Sequence, residues 1–218
     1  MGGMMMGEMI LYIIILMTLL WVAWRFLSNK YQIPCPSWLA WLIALDNPFA
    51  KAHQRERIIQ ALPLQEGTRV LDVGCGPGRV LLPLAKRLAP MNGEITGLDM
   101  QQGMLDQVRC QLGHNAKHID LICGDVMQLA INKQYHIILM VCLLGEIPQA
   151  ARKGVLKKLS EHVLPQGIIS ITETVFDPHY ISYIEVRRLM HAAGFEESFF
   201  MGSKLAYTAH FRLREVHD

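Results

Sequence analysis

From Met9 through Trp24 the chain runs without a charge, and the apolar pattern continues past Arg25 to Leu27. A helix over that stretch is about 28 Å long at 1.5 Å per residue. That nearly spans the roughly 30 Å hydrocarbon core of a bilayer when Arg25 snorkels to the interface. Trp21 and Trp24 suit one interfacial belt and Tyr12 the other. Ile33-Pro34-Cys35-Pro36 breaks any helix. The segment Ser37–Leu45 is apolar, carries Trp38 and Trp41, and is too short to span. It reads equally as a segment lying in the membrane interface or as a helix packed on the domain that follows. Asp46-Asn47-Pro48 predicts a cap with proline at the first helical position, opening a helix from Phe49 to Leu62.

From Thr68 the pattern changes to strands and helices in alternation. Strands are predicted at Arg69–Val73, Glu94–Asp99, Leu121–Val126, Tyr135–Cys142, Gly167–Glu173, Phe195–Met201 and Ala206–Leu213. Helices are predicted at Val80–Leu88, Gly103–Leu112, Ala150–Leu164 and Pro178–Ala193, the last ended by Gly194. Such alternation argues for an α/β fold with a mostly parallel sheet and right-handed crossovers. Tyr135–Cys142, apolar throughout but for His136, is what a central parallel strand requires. The organisation expected is an anchor helix over 1–30, an interfacial linker over 31–47 and one α/β domain over 48–218.

Composition changes this picture little. Hydrophobic residues make up 51% and charged residues 18%, and much of the excess lies in the first 45 positions. A formal net charge of +2, with no basic stripe interleaved with aromatics, argues against nucleic acid as a partner. The cysteines Cys35, Cys75, Cys110, Cys123 and Cys142 are scattered, with no Cys-x-x-Cys pair and no zinc spacing, so no metal site is expected. That usage suits a reducing compartment. A cleaved signal peptide wants a positive start and a small-residue cleavage site. Here Glu8 is the first charge, and large aromatics follow the apolar run. Arg25 and Lys30 follow the segment and no basic residue precedes it, which places the domain in the cytoplasm. Lys51, Arg55 and Arg57 then lie near the membrane, as headgroup contacts or as a solvated helix face.

The chemistry is concentrated after the first strand of the domain. Asp72-Val73-Gly74-Cys75-Gly76-Pro77-Gly78-Arg79 joins a strand to a helix through three alternating glycines. Such a turn aims backbone N–H groups and a positive dipole end at a ligand. The dinucleotide fingerprint Gly-x-Gly-x-x-Gly/Ala fails, because Arg79 stands at its last position. The pattern that fits is Asp-x-Gly-x-Gly-x-Gly, from Asp72 through Gly74, Gly76 and Gly78. Downstream, Glu94-Ile95-Thr96-Gly97-Leu98-Asp99 and Leu121-Ile122-Cys123-Gly124-Asp125-Val126 each end in an acid or an acid-bearing turn. Acids at strand ends are also ordinary caps, a reading that explains any one of the three better than all of them together.

This series resembles the class I S-adenosylmethionine (SAM) dependent methyltransferases over about Phe49 to Arg214. The resemblance implies a Rossmann-like, doubly wound, seven-stranded sheet with an antiparallel last strand, and SAM as cofactor. It implies that Asp72, with Gly74, Cys75, Gly76 and Gly78, faces the methionine end of the cofactor. Asp99, followed by Met100, then takes the ribose, and Gly124, Asp125 and Val126 meet the adenine.

An acceptor should lie at the ends of the fourth and fifth strands, where Glu146, Asp177, His179 and Tyr180 are the candidate catalytic residues. Glu146 reads as a base, a cation-binding group or a helix N-terminal acid. Asp177 before Pro178 reads as an N-cap. His179 and Tyr180 fall in the first turn of the helix predicted there, with His179 the best single candidate for a general base. With an anchor ahead of the domain, the acceptor expected is amphiphilic: a phospholipid amine first, a quinone phenol or hydrophobic thiol next. A SAM-binding regulatory protein and an NAD-type enzyme are the alternatives, the latter disfavoured by Arg79 and by the Gly124-Asp125-Val126 turn.

Overall fold

The computed structural model describes residues 2–31, 50–112, 117–128 and 131–214, with side chains described from Met6 to Leu27 in the first of these segments. The tryptophan-bearing segment Ser37–Leu45 and the cap at Asp46–Pro48 lie outside the described residues. Helix α1 runs Gly2–Tyr31, and its 22 residues Met6–Leu27 are long and apolar enough to cross a membrane. None of that apolar stretch is buried inside the fold.

The predicted helix Phe49–Leu62 is instead a 3-10 turn, Lys51–His53, followed by α2, Arg55–Ala61. Gln54 between them is extended (φ −66°, ψ 131°). The cause is competition for carbonyls. Thr208 Oγ1 donates to Ala52 O at 2.9 Å and Arg79 Nη1 donates to His53 O at 3.0 Å. Those two oxygens would have carried a continuous helix onward.

The sheet contains β1 (Arg69–Val73), β2 (Glu94–Asp99), β3 (Ile119–Cys123), β4 (Tyr135–Val141), β5 (Val163–Thr174), β6 (Phe195–Gly202) and β7 (Ala206–Leu213). Their order is β3-β2-β1-β4-β5-β7-β6. The first five strands are mutually parallel, and β7 runs antiparallel to both neighbours. The helices are α3 (Leu81–Leu88), α4 (Gln102–Leu112), α5 (Gln149–Ser160) and α6 (Tyr183–Ala192). In α3 the spacing of Leu81, Leu84, Ala85 and Leu88 puts all four on one buried face.

Alternation along the strands divides the core between two faces. Ile138 and Met140 of β4 join Ile169 and Ile171 of β5 and the inner residues of α5 and α6. Ile137 and Leu139 join Val70 of β1 and the inner residues of α2, α3 and α4. Toward β7 this second face turns polar. Thr172 and Thr208 share a 2.8 Å hydroxyl contact, and His210 Nε2 lies 3.0 Å from Ala61 O. The backbone of the 3-10 turn and α2 covers these groups, which explains why a frayed segment rather than a regular apolar helix sits there.

Of the other boundaries that differ from the pattern reading, three have a visible cause. β3 stops at Cys123 rather than Val126, because Asp125 Oδ1 accepts from Met127 N at 2.8 Å and turns the chain. α5 ends at Ser160 rather than Leu164, since Val163 is taken by pairing with Tyr135 of β4. The helix predicted from Pro178 starts only at Tyr183. Its cap is Ser182, whose hydroxyl accepts from Glu185 N at 3.3 Å, so Asp177 is not the N-cap.

Candidate active site

The strand order reverses between β1 and β4, and the crevice at their C-terminal ends is where open α/β sheets bind ligands. The glycine loop leaves β1 there. Gly74, Gly76 and Gly78 all take positive φ (70°, 53° and 86°), a conformation side chains disfavour. Gly74 N and Cys75 N both donate to Leu98 O, at 2.7 and 3.1 Å, binding the loop to β2. A Cβ on Gly76 would meet nothing within 4 Å, so this backbone borders open space. Cys75 points inward beside Gly97, and burial first, then the nearby carboxylates, pushes its thiol pKa up, as befits a packing residue.

Asp72, only 3% exposed, is the penultimate residue of β1, and burial raises its pKa to about 7 despite the opposing charge of Arg79. Asp99 ends β2 and faces the glycine loop: its Oδ2 accepts from Gly76 N at 2.9 Å and its Oδ1 from Gln101 N at 2.8 Å. Burial raises the Asp99 pKa, and these two N–H groups oppose the shift. Met100 follows with its side chain exposed. Gly124 N donates to Asp99 O at 3.0 Å, which brings the Gly124-Asp125-Val126 turn beside Asp99. The structure thus gathers the sequence-predicted cofactor residues along one edge of the sheet.

The acceptor-side candidates come from the next two strand ends. Gly145 and the turn at 177–180 are in close contact: a Cβ on Gly145 would stand 1.7 Å from His179 O. Glu146 follows, and burial first, then the charges of Asp177 and Asp99, raises its pKa to about 8. Asp177 accepts from His179 N at 2.7 Å, and its pKa is raised to about 6 by burial, opposed by that N–H and by Arg25. His179 is buried in the same turn. Since the helix starts at Tyr183, neither His179 nor Tyr180 lies in its first turn. Tyr180 is directed elsewhere, its hydroxyl donating to Lys204 O.

Glu173 was not among the sequence candidates. It is wholly buried in β5, and neither carboxylate oxygen has a partner in hydrogen-bonding geometry. Burial, then Asp177, drives its pKa well up, while the N–H groups of Ile181 and Gly145 lie close enough to offset part of that. A neutral carboxylic acid is the form such a site favours. The available signal was an acid at the position that continues the apolar face of Ile169 and Ile171 in β5. A second missed group is His53, whose Nε2 lies 3.3 Å from Cys142 Sγ and 3.1 Å from Arg79 Nη2. Among the described residues no His, Cys, Asp and Glu cluster could hold a metal ion.

Residues 70–167 match the family described as methyltransferase domain. The carboxy-S-adenosyl-L-methionine synthase of Wolinella succinogenes is 31% identical over 112 residues, covering 51% of this chain and 46% of that protein. The demethylmenaquinone methyltransferase of Lactobacillus johnsonii is 34% identical over 123 residues, covering 55% and 49%. The chain thus spans about half the length of the curated relatives it matches. A SAM dependent methyltransferase from Aquifex aeolicus shares the fold, with a TM-score of 0.68 at 17% identity over 82% of this chain and 98% of that one. Together with the strand order and the glycine loop, these matches identify a class I, S-adenosylmethionine-dependent methyltransferase domain in this chain.

Proposed function

We propose that the chain transfers the methyl group of SAM to an amphiphilic acceptor at the cytoplasmic face of a membrane, a phospholipid amine being the first candidate. The residues fit the cofactor. Gly76 borders open space, and the Asp99 oxygens each keep a second lone pair beside the bond they already accept. In this reading Asp72 and the backbone of Gly74, Cys75, Gly76 and Gly78 hold the methionine end. Asp99 holds the ribose, and Met100, Gly124, Asp125 and Val126 border the adenine. SAM supplies an activated methyl group on a sulfonium, so the chain's work is to orient an acceptor in line with it. Glu146, Asp177 and His179 are the groups proposed to hold that acceptor or take its proton, with Tyr180 holding their loop in place.

The observation that carries the membrane part is Arg25. It stands near the end of the apolar stretch Met6–Leu27 and donates from Nη1 to Asp177 O at 2.7 Å, with Val175 O at 3.4 Å. The end of a helix fit to span a bilayer is thereby tied to the acceptor-side loop. A quinone acceptor is the second reading, favoured by the similarity to a demethylmenaquinone methyltransferase.

The test supplies methyl-labelled SAM and native lipid extract to membranes containing the protein, with Asp99→Ala as control. Label in a lipid that disappears in the variant supports the proposal, and identification of the product separates amine from quinone. SAM binding without label in the organic phase overturns a lipid acceptor.

A further inference from the structure

We propose that Phe176 and Leu205 dip into the bilayer surface beside α1 and hold the acceptor-side loop at the level of the lipid headgroups. This inference rests on the reading of Met6–Leu27 as a membrane span. Arg25 hydrogen-bonds the carbonyls on either side of Phe176, those of Val175 and Asp177. Phe176 therefore sits within a few residues' reach of the point where the helix leaves the hydrocarbon. The Arg25 guanidinium also lies 5.5 Å from the ring centroid of Trp21, the pairing of aromatic and cation that marks a membrane interface.

Two separate turns meet at this level. The first joins β5 to α6 and carries Phe176; the second is the tip of the β6–β7 hairpin, Ser203-Lys204-Leu205. They are joined by Val175 N donating to Leu205 O at 2.8 Å and by the Tyr180 hydroxyl donating to Lys204 O. Both present large apolar side chains outward, Phe176 48% and Leu205 63% exposed. An apolar tip flanked by a lysine is the composition of a surface that inserts shallowly among lipids, with the cation at the headgroups. A bilayer is the occupant that α1 itself brings to this face. The function of the contact would be to set the turn that carries Asp177 against lipid, so that an acceptor enters from the membrane and not from water.

The experiment uses the full chain reconstituted into vesicles of phosphatidylcholine and phosphatidylglycerol, with lipids brominated near the top of the acyl chain as quenchers. A tryptophan is added as Phe176→Trp or, independently, as Leu205→Trp, and its emission is read as the gain over the four native tryptophans. Lys157→Trp, in the exposed last turn of α5 at the opposite end of the sheet, is the control. The expected result is blue-shifted added emission that brominated vesicles quench at 176 and 205 but not at 157. A chain that floats with the vesicles while the added emission at both positions stays unquenched overturns the inference and leaves the anchor intact. A chain that does not float overturns the inference together with the span on which it rests.

Discussion

Asp99 has one task that the structure shows and a second that the proposed site gives it. Its carboxylate fixes the glycine loop through Gly76 N and, in the proposed site, binds the ribose. Asp99→Ala removes the charged acceptor from both. A hydrogen bond to a charged group contributes about 1.5–3 kcal/mol, so SAM affinity should fall by roughly ten- to a hundredfold in titration calorimetry. Unchanged affinity would place the cofactor elsewhere. Gly145 makes the opposite kind of prediction, about packing. Its added Cβ would fall 1.7 Å from His179 O, which is backbone and cannot swing aside. Gly145→Ala should cost about 1–3 kcal/mol of stability, a fall of several degrees in Tm, or else displace the 177–180 turn. A thermal melt matching that of the parent would refute the close contact. Asp72, Gly74, Gly76, Gly78 and Asp99 were legible in the sequence because each stands at or just past a strand end, where local pattern fixes position. Gly145 was not, because what confines it is a carbonyl 34 residues away in the chain.

At the scale of elements, the ends of β4 and β5 bring Glu146, Glu173 and Asp177 together with insufficient compensation for burying three acids. All three carry raised pKa values, chiefly through burial. A carboxyl whose folded pKa lies above its unfolded value binds more protons in the native state than in the unfolded one. Its contribution to stability is complete below the unfolded pKa and is lost as pH rises through the folded value. For Asp177 that window runs from 3.8 to about 6, and for Glu146 from 4.5 to about 8. Asp72, raised to about 7, acts in the same direction. The urea midpoint should therefore decline between pH 6 and 8, and Glu146→Gln should make that decline shallower. A variant with the parent's slope would show that Glu146 is already ionised at pH 6. The sheet strands were legible at this scale to within a few residues, since period and apolar runs mark them directly. The loops were misread where a side chain outside the expected motif competed for a backbone group. Arg79 and Thr208 did so at the 3-10 turn, and a local Ser182 cap outcompeted the Asp177-Pro178 signal at α6.

Among the described residues, Arg25 ties the apolar helix α1 to the turn that follows β5. Arg25 reaches carbonyls 150 and 152 residues away, so the apolar helix and the acceptor loop are coupled as well as connected in sequence. If that coupling sets how an acceptor enters, its loss should change delivery and leave the cofactor site alone. Arg25→Gln keeps part of the hydrogen-bonding capacity but removes the charge. The chain should stay in the membrane fraction, because the uncharged stretch Met9–Trp24 is unchanged. SAM affinity should match the parent, because the carbonyls that Arg25 bonds, those of Val175 and Asp177, lie on the acceptor side. Methylation of the membrane-dissolved acceptor should weaken by about 1 kcal/mol, roughly fivefold, seen as a higher KM expressed per lipid, with kcat retained at high acceptor density. Restoring the cation with Lys should recover part of the loss, since an ammonium can still donate to a carbonyl. A fall in kcat at saturating acceptor would mean that Arg25 acts on the chemistry through Asp177, whose pKa it lowers. No change in either constant would make the contact a tether without a functional part, and the acceptor's route would then have to be sought on the water-facing side of the loop.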